Sequence, residues 1–170
     1  IAAVIVEPFQ RAIAPEPGCL QALRDLTRRH GAVLIFDEVV TGFRLAWGGA
    51  QEFYGVTPDL ATYGKALTCG YSLGAIAGRA DVMETANPAR TGTLDYAGLS
   101  GTLSGNPIAC AAGIAALGEL RKPGVYERLH ALGRRLRAGI TAIAERRGLA
   151  LQALGEGPIA QPVFVDRGRR

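Results

Sequence analysis

The sequence predicts an α/β protein built on a mostly parallel sheet, and three features carry that prediction. Ala32-Val33-Leu34-Ile35-Phe36 is an apolar run leading straight into Asp37 and Glu38, the pattern of a strand covered on both faces. A second apolar strand, about residues 2–6, precedes it, and a helical pattern over about residues 17–30 joins the two into a βαβ unit. In open α/β sheets ligands bind beyond the carboxyl ends of the strands, so Asp37 and Glu38 fall where chemistry is expected.

The first strand runs into Glu7-Pro8, where the proline ends regular pairing and leaves Glu7 at a second strand's carboxyl end. The helix that follows carries Leu20, Leu23 and Leu26 on one side. It places Arg28, Arg29 and His30 in its last turn, where they suit the helix dipole, and stops at Gly31. His30 reads as a solvent-facing helix-end residue rather than a catalyst. Residues 41–58 form a glycine-rich connection with one short helix near Gln51–Tyr54. Leu60–Tyr63 and Leu73–Ala77 then continue the sheet on either side of Lys65.

Residues 86–105 are loop-like. Asn106-Pro107 pairs an N-cap with proline at the first helical position, and the helix behind it, to about Leu120, is rich in small residues suited to close packing. Lys122-Pro123-Gly124 breaks that helix. A second one, to about Arg147, has a stripe of Leu129, Leu132, Leu136, Ile140 and Ile143, with its arginines read as a solvated face. Two short strands are expected around Gly155-Glu156-Gly157-Pro158, the second over Pro162–Asp166.

Composition narrows the classes. No apolar run approaches the roughly 18 residues of a membrane-spanning helix, so a soluble, cytoplasmic protein without a membrane partner is expected. Cys19, Cys69 and Cys110 lack CxxC or Cys/His metal spacing and read as free thiols, with no metal site. Residues 121–170 carry 11 basic and 4 acidic side chains, against 8 and 11 in residues 1–120. That asymmetry permits a nucleic-acid partner, but the helical stripe makes a solvated face the better reading. With strands at both ends, the chain is read as an internal piece of something longer.

Lysine usage points to one residue. Of 19 basic side chains only Lys65 and Lys122 are lysines, so this chain does not use lysine for ordinary surface charge. Lysine, unlike arginine, can lose a proton and form an imine. The run ending in Asp37-Glu38 also matches a Walker B strand, with aspartate on magnesium and glutamate polarising water. Lys65 fails the matching phosphate loop, since Asp59 stands where its first glycine belongs and Ala66 where its hydroxyl belongs. The other functional reading is a pyridoxal 5'-phosphate site, which needs an amine, a carboxylate beside the ring nitrogen and an apolar wall; Lys65, Asp37 and Val39 supply them. A buried Asp–Lys ion pair is the structural alternative. The residues by themselves leave these readings open.

Several spaced motifs, in order over about the first 120 residues, carry a resemblance. These are Ile1 to Pro8, His30 to Arg44, Tyr54 to Leu60, Gly64-Lys65-Ala66-Leu67 and Gly101-Thr102-Leu103-Ser104-Gly105-Asn106-Pro107. Together they resemble the class III aminotransferases, and within them the glutamate-1-semialdehyde aminomutase-like branch. The resemblance implies the fold-type I architecture of pyridoxal-phosphate transferases, with residues 1–121 in the large domain and 122–170 beginning the C-terminal small domain. It implies amino transfer from a small-molecule donor to a keto or aldehyde acceptor, or an intramolecular version of that reaction. Lys65 would hold the cofactor as an imine, Asp37 would pair with its ring nitrogen, and Val39 would pack on the ring. Thr102 would reach the phosphate of the partner subunit's cofactor in a homodimer, and Glu7 would lie near the pocket.

Some positions depart from the wider family. Val40 stands where many ω-aminotransferases carry glutamine, and Ala12 where they carry a substrate-facing glutamate, which argues against an ornithine- or GABA-type enzyme. Thr68 and Cys69 replace glycines common after the lysine. The phosphate-binding loop and the aromatic that stacks on the ring are expected N-terminal to Ile1.

Overall fold

Strand and helix alternate through the first third of the chain, as the spacing of its apolar segments requires. The structure, a computed structural model, describes residues 1–165. Strand β1 (Ala3–Val6), helix α1 (Cys19–Arg29) and strand β2 (Val33–Asp37) form the expected βαβ unit, with β1 and β2 paired in parallel. Helix α2 (Gly49–Tyr54) interrupts the glycine-rich connection, and β3 (Leu60–Tyr63) joins β2 in parallel with Thr62 opposite Asp37.

β4 (Ala75–Gly78) completes the sheet in the order β1-β2-β3-β4 and runs antiparallel to β3. Residues 64–74 contain no crossover helix, so the chain can return beside β3 only in the opposite direction. A one-turn helix, α3 (Ala80–Met83), follows, and residues 91–105 have no helix or strand.

Helix α4 (Pro107–Leu120) starts where Asn106 predicts. The Asn106 Oδ1 accepts the Ile108 and Ala109 N–H groups at 3.0 and 3.1 Å. Helix α5 (Val125–Arg146) leads to an antiparallel hairpin of β5 (Leu151–Leu154) and β6 (Gln161–Phe164), a sheet separate from the first. Asp166, included in the last predicted strand, lies outside the described residues.

The core corrects three details of the sequence reading. Leu34 and Phe36 are fully buried against Leu20, Val56 and Ala61, but Val33 and Ile35 on the other face of β2 are only half covered. On α1 the buried side is Leu20, Arg24 and Thr27 while Leu26 is half exposed. Arg24 turns inward because Asp59, at the amino end of β3, receives its Nη2 at 2.9 Å, together with the Leu34 N–H at 2.7 Å. On α5, Gly133 and Ala144 are buried, while Leu132, Leu136 and Ile143 are half exposed. The helix packs through its small residues because the hairpin turn comes very close: a Cβ on Gly133 would lie 2.0 Å from the Gly157 carbonyl. One arginine of the supposed solvated face, Arg137, instead donates to the carbonyls of Gly157 and Ile159 at 2.9 and 2.6 Å.

Candidate active site

The carboxyl ends of β2 and β3 lie side by side, and each carries one of the two residues that the sequence singled out. Asp37 ends β2, half-buried. Its Oδ1 accepts the Val39 N–H at 3.0 Å and the Thr62 hydroxyl at 3.1 Å, the latter following from the Asp37–Thr62 register. Those two donors orient the carboxylate and leave Oδ2 without a protein partner among the described residues. Lys65 follows β3 directly as the first residue of a one-turn 3-10 helix, Lys65–Leu67, with its side chain exposed.

Asp37 and Lys65 do not form an ion pair, and Lys65 pairs with no carboxylate among the described residues. The buried-pair reading is therefore set aside. Val39 packs beside Gly64, the residue before Lys65, its Cγ1 at 3.5 Å from where a Cβ on Gly64 would lie. An amine without an acid partner, beside a carboxylate with one oriented and one open oxygen, is a set able to form an imine and to hold a cationic ring nitrogen.

Glu38 has a different fate from its neighbour. It is fully buried, and its Oε2 accepts the Thr41 hydroxyl at 2.8 Å and the Ala50 N–H at 2.5 Å. Its Oε1 accepts the Gln51 N–H and side-chain amide at 3.1 and 3.3 Å. The carboxylate thus satisfies donors of the first turn of α2 that have no partner within the helix. Gly49, at φ 75°, leaves it room, since a Cβ there would meet Glu38 Oε2 at 2.2 Å. Saturated and sealed from solvent, Glu38 is not placed to polarise water, and the Walker B reading fails on it.

Beside Lys65 opens a cavity of about 550 Å³ whose wall includes Phe43, Arg44, Lys65, Cys69, Leu129 and Ile159. Among the described residues four non-glycine residues have positive φ, and three of them line this cavity: Phe43 at 59°, Lys65 at 43° and Cys69 at 51°. Such conformations cost about 1–3 kcal/mol each and cluster at functional sites. The turn that holds Lys65 and Cys69 is anchored below: Thr68, buried, donates its hydroxyl to the Tyr71 carbonyl, and Gly113 of α4 lets the helix approach the Leu67 carbonyl, 3.4 Å from an added Cβ. A larger groove of about 750 Å³ along Trp47, Phe53, Arg121 and Arg134 contains neither Asp37 nor Lys65. Size alone does not locate the chemistry.

Of the predicted site residues only Lys65 lines this cavity; Asp37, Val39, Glu7 and Thr102 do not. Glu7 is exposed beyond β1. Thr102 is exposed in a loop whose neighbours Gly101, Leu103 and Ser104 face Ser72, Leu73 and Gly74 across a cleft of about 250 Å³. Sequence reasoning missed Thr62, Phe43 and Arg44. The first was legible only through strand register. The other two carried one signal, their position directly after the Asp37-to-Gly42 stretch.

Three comparisons bear on this arrangement. A family model described as Aminotransferase class-III matches residues 1–159. A glutamate-1-semialdehyde 2,1-aminomutase 2 of Brevibacillus brevis is 50% identical over 152 residues, covering 88% of this chain and 34% of that protein. The crystal structure of an omega-transaminase from Sphaerobacter thermophilus superposes with a TM-score of 0.86 at 38% identity, over 98% of this chain and 38% of that one. A transaminase with PLP bound does so with 0.87 at 30% identity, over 98% and 39%. The chain thus spans little more than a third of the length of the proteins it matches.

Proposed function

This chain belongs to the class III aminotransferases, and from that membership we propose that it forms the cofactor-binding core of a pyridoxal-phosphate-dependent enzyme moving an amino group from a small-molecule donor to a keto or aldehyde acceptor. The observation that carries the proposal is the pairing of strand ends. Asp37 ends one strand and Lys65 follows the end of the adjacent parallel strand, not neutralising one another, and Lys65 lines a strained cavity. The donor set suits the cofactor: an amine for its carbonyl carbon, a carboxylate oxygen for its ring nitrogen, and the branched side chain of Val39 for its ring.

Pyridoxal phosphate, when bound, supplies an electron sink that acidifies the carbon bearing the amino group. Asp37 offers an open acceptor at Oδ2 for the ring N–H, while Val39 N–H and Thr62 Oγ–H fix its plane through Oδ1. Lys65 Nζ would hold the cofactor through its carbonyl carbon and, as a free amine, would carry the proton that leaves the substrate carbon. Phe43 and Leu129 line the same cavity as that amine. Thr102 serves the phosphate of the partner subunit's cofactor in a homodimer, and Glu7, outside the Lys65 cavity, lies toward the cofactor's side of the strand ends. We place the domain boundary at residues 121/122, in the turn between α4 and α5, and the enzyme in the cytoplasm, consistent with three free cysteines. Among the described residues no helix is long and apolar enough to cross a membrane.

The test is borohydride reduction of the full-length protein with pyridoxal phosphate, followed by mass mapping. A reduced adduct on Lys65, with an imine absorbance absent from Lys65→Ala, is expected; a folded protein without that adduct refutes the proposal. Half identity to an aminomutase over 152 residues favours an intramolecular variant as the second reading. Turnover of an amino-aldehyde without any added keto acid would identify it.

A further inference from the structure

The wall of the cavity beside Lys65 carries positive charge that no acid in that wall offsets. Arg44 and Lys65 are its charged lining residues, and the rest is apolar apart from Cys69. Elsewhere the inward-turned arginines are answered: Arg24 by the Asp59 carboxylate and Arg137 by two carbonyls. Arg44, half-buried, has only the Val40 carbonyl, which receives its Nη1 at 2.6 Å, so Nε and Nη2 have no protein partner among the described residues. Burial pulls its guanidinium below the ordinary value, and the nearby Cys69 counters this only in part.

Arg44 is also held unusually well for a loop residue. Tyr126 and His130, one helical turn apart on α5, donate to the carbonyls of Phe43 and Leu45 at 3.2 and 2.7 Å. The imidazole must carry its proton on Nε2 to do so, because a carbonyl only accepts. The backbone on both sides of Arg44 is thereby pinned to the helix that supplies Leu129 to the same cavity. Once Lys65 is engaged with the cofactor, Arg44 is the remaining cation of the lining.

We propose that Arg44 is a specificity-determining residue that receives the carboxylate of a carboxylate-bearing substrate through its two unpartnered N–H positions, with Tyr126 and His130 as its positioning residues. This rests on the reading of Lys65 as the cofactor-binding lysine. A planar, oriented guanidinium binds a carboxylate through two parallel charge-assisted hydrogen bonds, and an anion repays the loss of water on burial more strongly than a carbonyl does. The apolar lining of Val40, Phe43, Leu129 and Ile159 would take the carbon chain of the same molecule.

The experiment measures binding of hexanoate and of hexanamide, equal in length and differing in charge, to the full-length holoenzyme by calorimetry. Hexanoate is expected to bind roughly ten- to hundredfold more tightly, the range of a charge-assisted pair. Arg44→Gln should erase that preference, and Arg44→Lys should keep part of it. Tyr126→Phe, which removes one hydroxyl, should reduce it severalfold and serves if Arg44→Gln does not fold. Equal binding of the two probes to the native enzyme overturns the inference. So does an equal loss of both in the variants, which is what a merely structural arginine would give. Borohydride labelling of Lys65 separates the failures: labelling without a carboxylate preference sinks this inference alone, whereas no labelling sinks the cofactor reading and this inference with it.

Discussion

The two ends of the parallel sheet use the same chemical groups to opposite purposes. At the amino end, Asp59 is buried with Arg24 and the Leu34 N–H on Oδ2 and Arg79 on Oδ1, so both of its oxygens are engaged. At the carboxyl end, Asp37 has one oxygen occupied and one open, and Lys65 has no acid partner among the described residues. Saturation marks a carboxylate that ties α1, β2, β3 and β4 together. Incomplete pairing marks groups held ready for something not made of protein. Glu38, next to Asp37 in sequence, belongs with Asp59 by this criterion, which adjacency could not have told.

If the comparison is sound, the largest effect divides activity from stability. Lys65→Ala should lower amino transfer by the full-length enzyme at least roughly a thousandfold. It should leave unfolding of the cofactor-free protein within about 0.5 kcal/mol, since an exposed, unpaired side chain contributes little. Urea titration beside a steady-state assay reads both, and a large stability loss would show that Lys65 is a structural residue after all.

Arg24→Met is the converse. It leaves the Asp59 carboxylate buried with only the Leu34 N–H and the half-exposed Arg79, a change that costs about 3–5 kcal/mol of stability. The Lys65 adduct should still form in whatever protein remains folded.

A smaller effect appears with pH. Burial by itself would raise the Asp59 carboxyl, but Arg24, the Leu34 N–H and Arg79 outweigh it and hold its pKa at about 2, below the ordinary 3.8. A depressed carboxyl stabilises the fold above its unfolded value and loses that contribution as pH falls through the folded one. Stability should therefore decline by about 2 kcal/mol between about pH 4 and pH 2, and Asp59→Asn should flatten that slope.

The smallest effect tests how the C-terminal hairpin docks. Tyr54 donates its hydroxyl to Glu156 at 2.6 Å, and burial, then that carboxylate, pushes the phenol up. Tyr54→Phe should cost about 1 kcal/mol in chemical denaturation.

Much of this was legible. Residue patterns located the βαβ unit, the Asn106 cap, the break at Lys122-Pro123-Gly124 and the terminal hairpin, because each depends on local signals: apolar periodicity, a capping side chain, proline or glycine. Asp37 and Lys65 were legible for a related reason, being polar residues at the ends of apolar strands. The buried side of α1 was not. Leucine spacing favoured Leu26, but Arg24 went inside because a carboxylate 35 positions away waited for it. The leucines of α5 misled in the same way, since Gly133 and Ala144 allowed a closer approach than leucine would.

The sequence by itself determined the element order, the strand ends that carry Asp37 and Lys65, and the family. These follow from interactions within a few residues, or from motifs whose spacing is itself the signal. Only the tertiary structure decided which of two adjacent carboxylates is structural, that β4 returns antiparallel, and that Phe43, Arg44, Lys65 and Cys69 face one cavity. Hydrogen-bond saturation, chain direction and shared walls are properties of segments distant in sequence brought together. They exist only once register and packing are set.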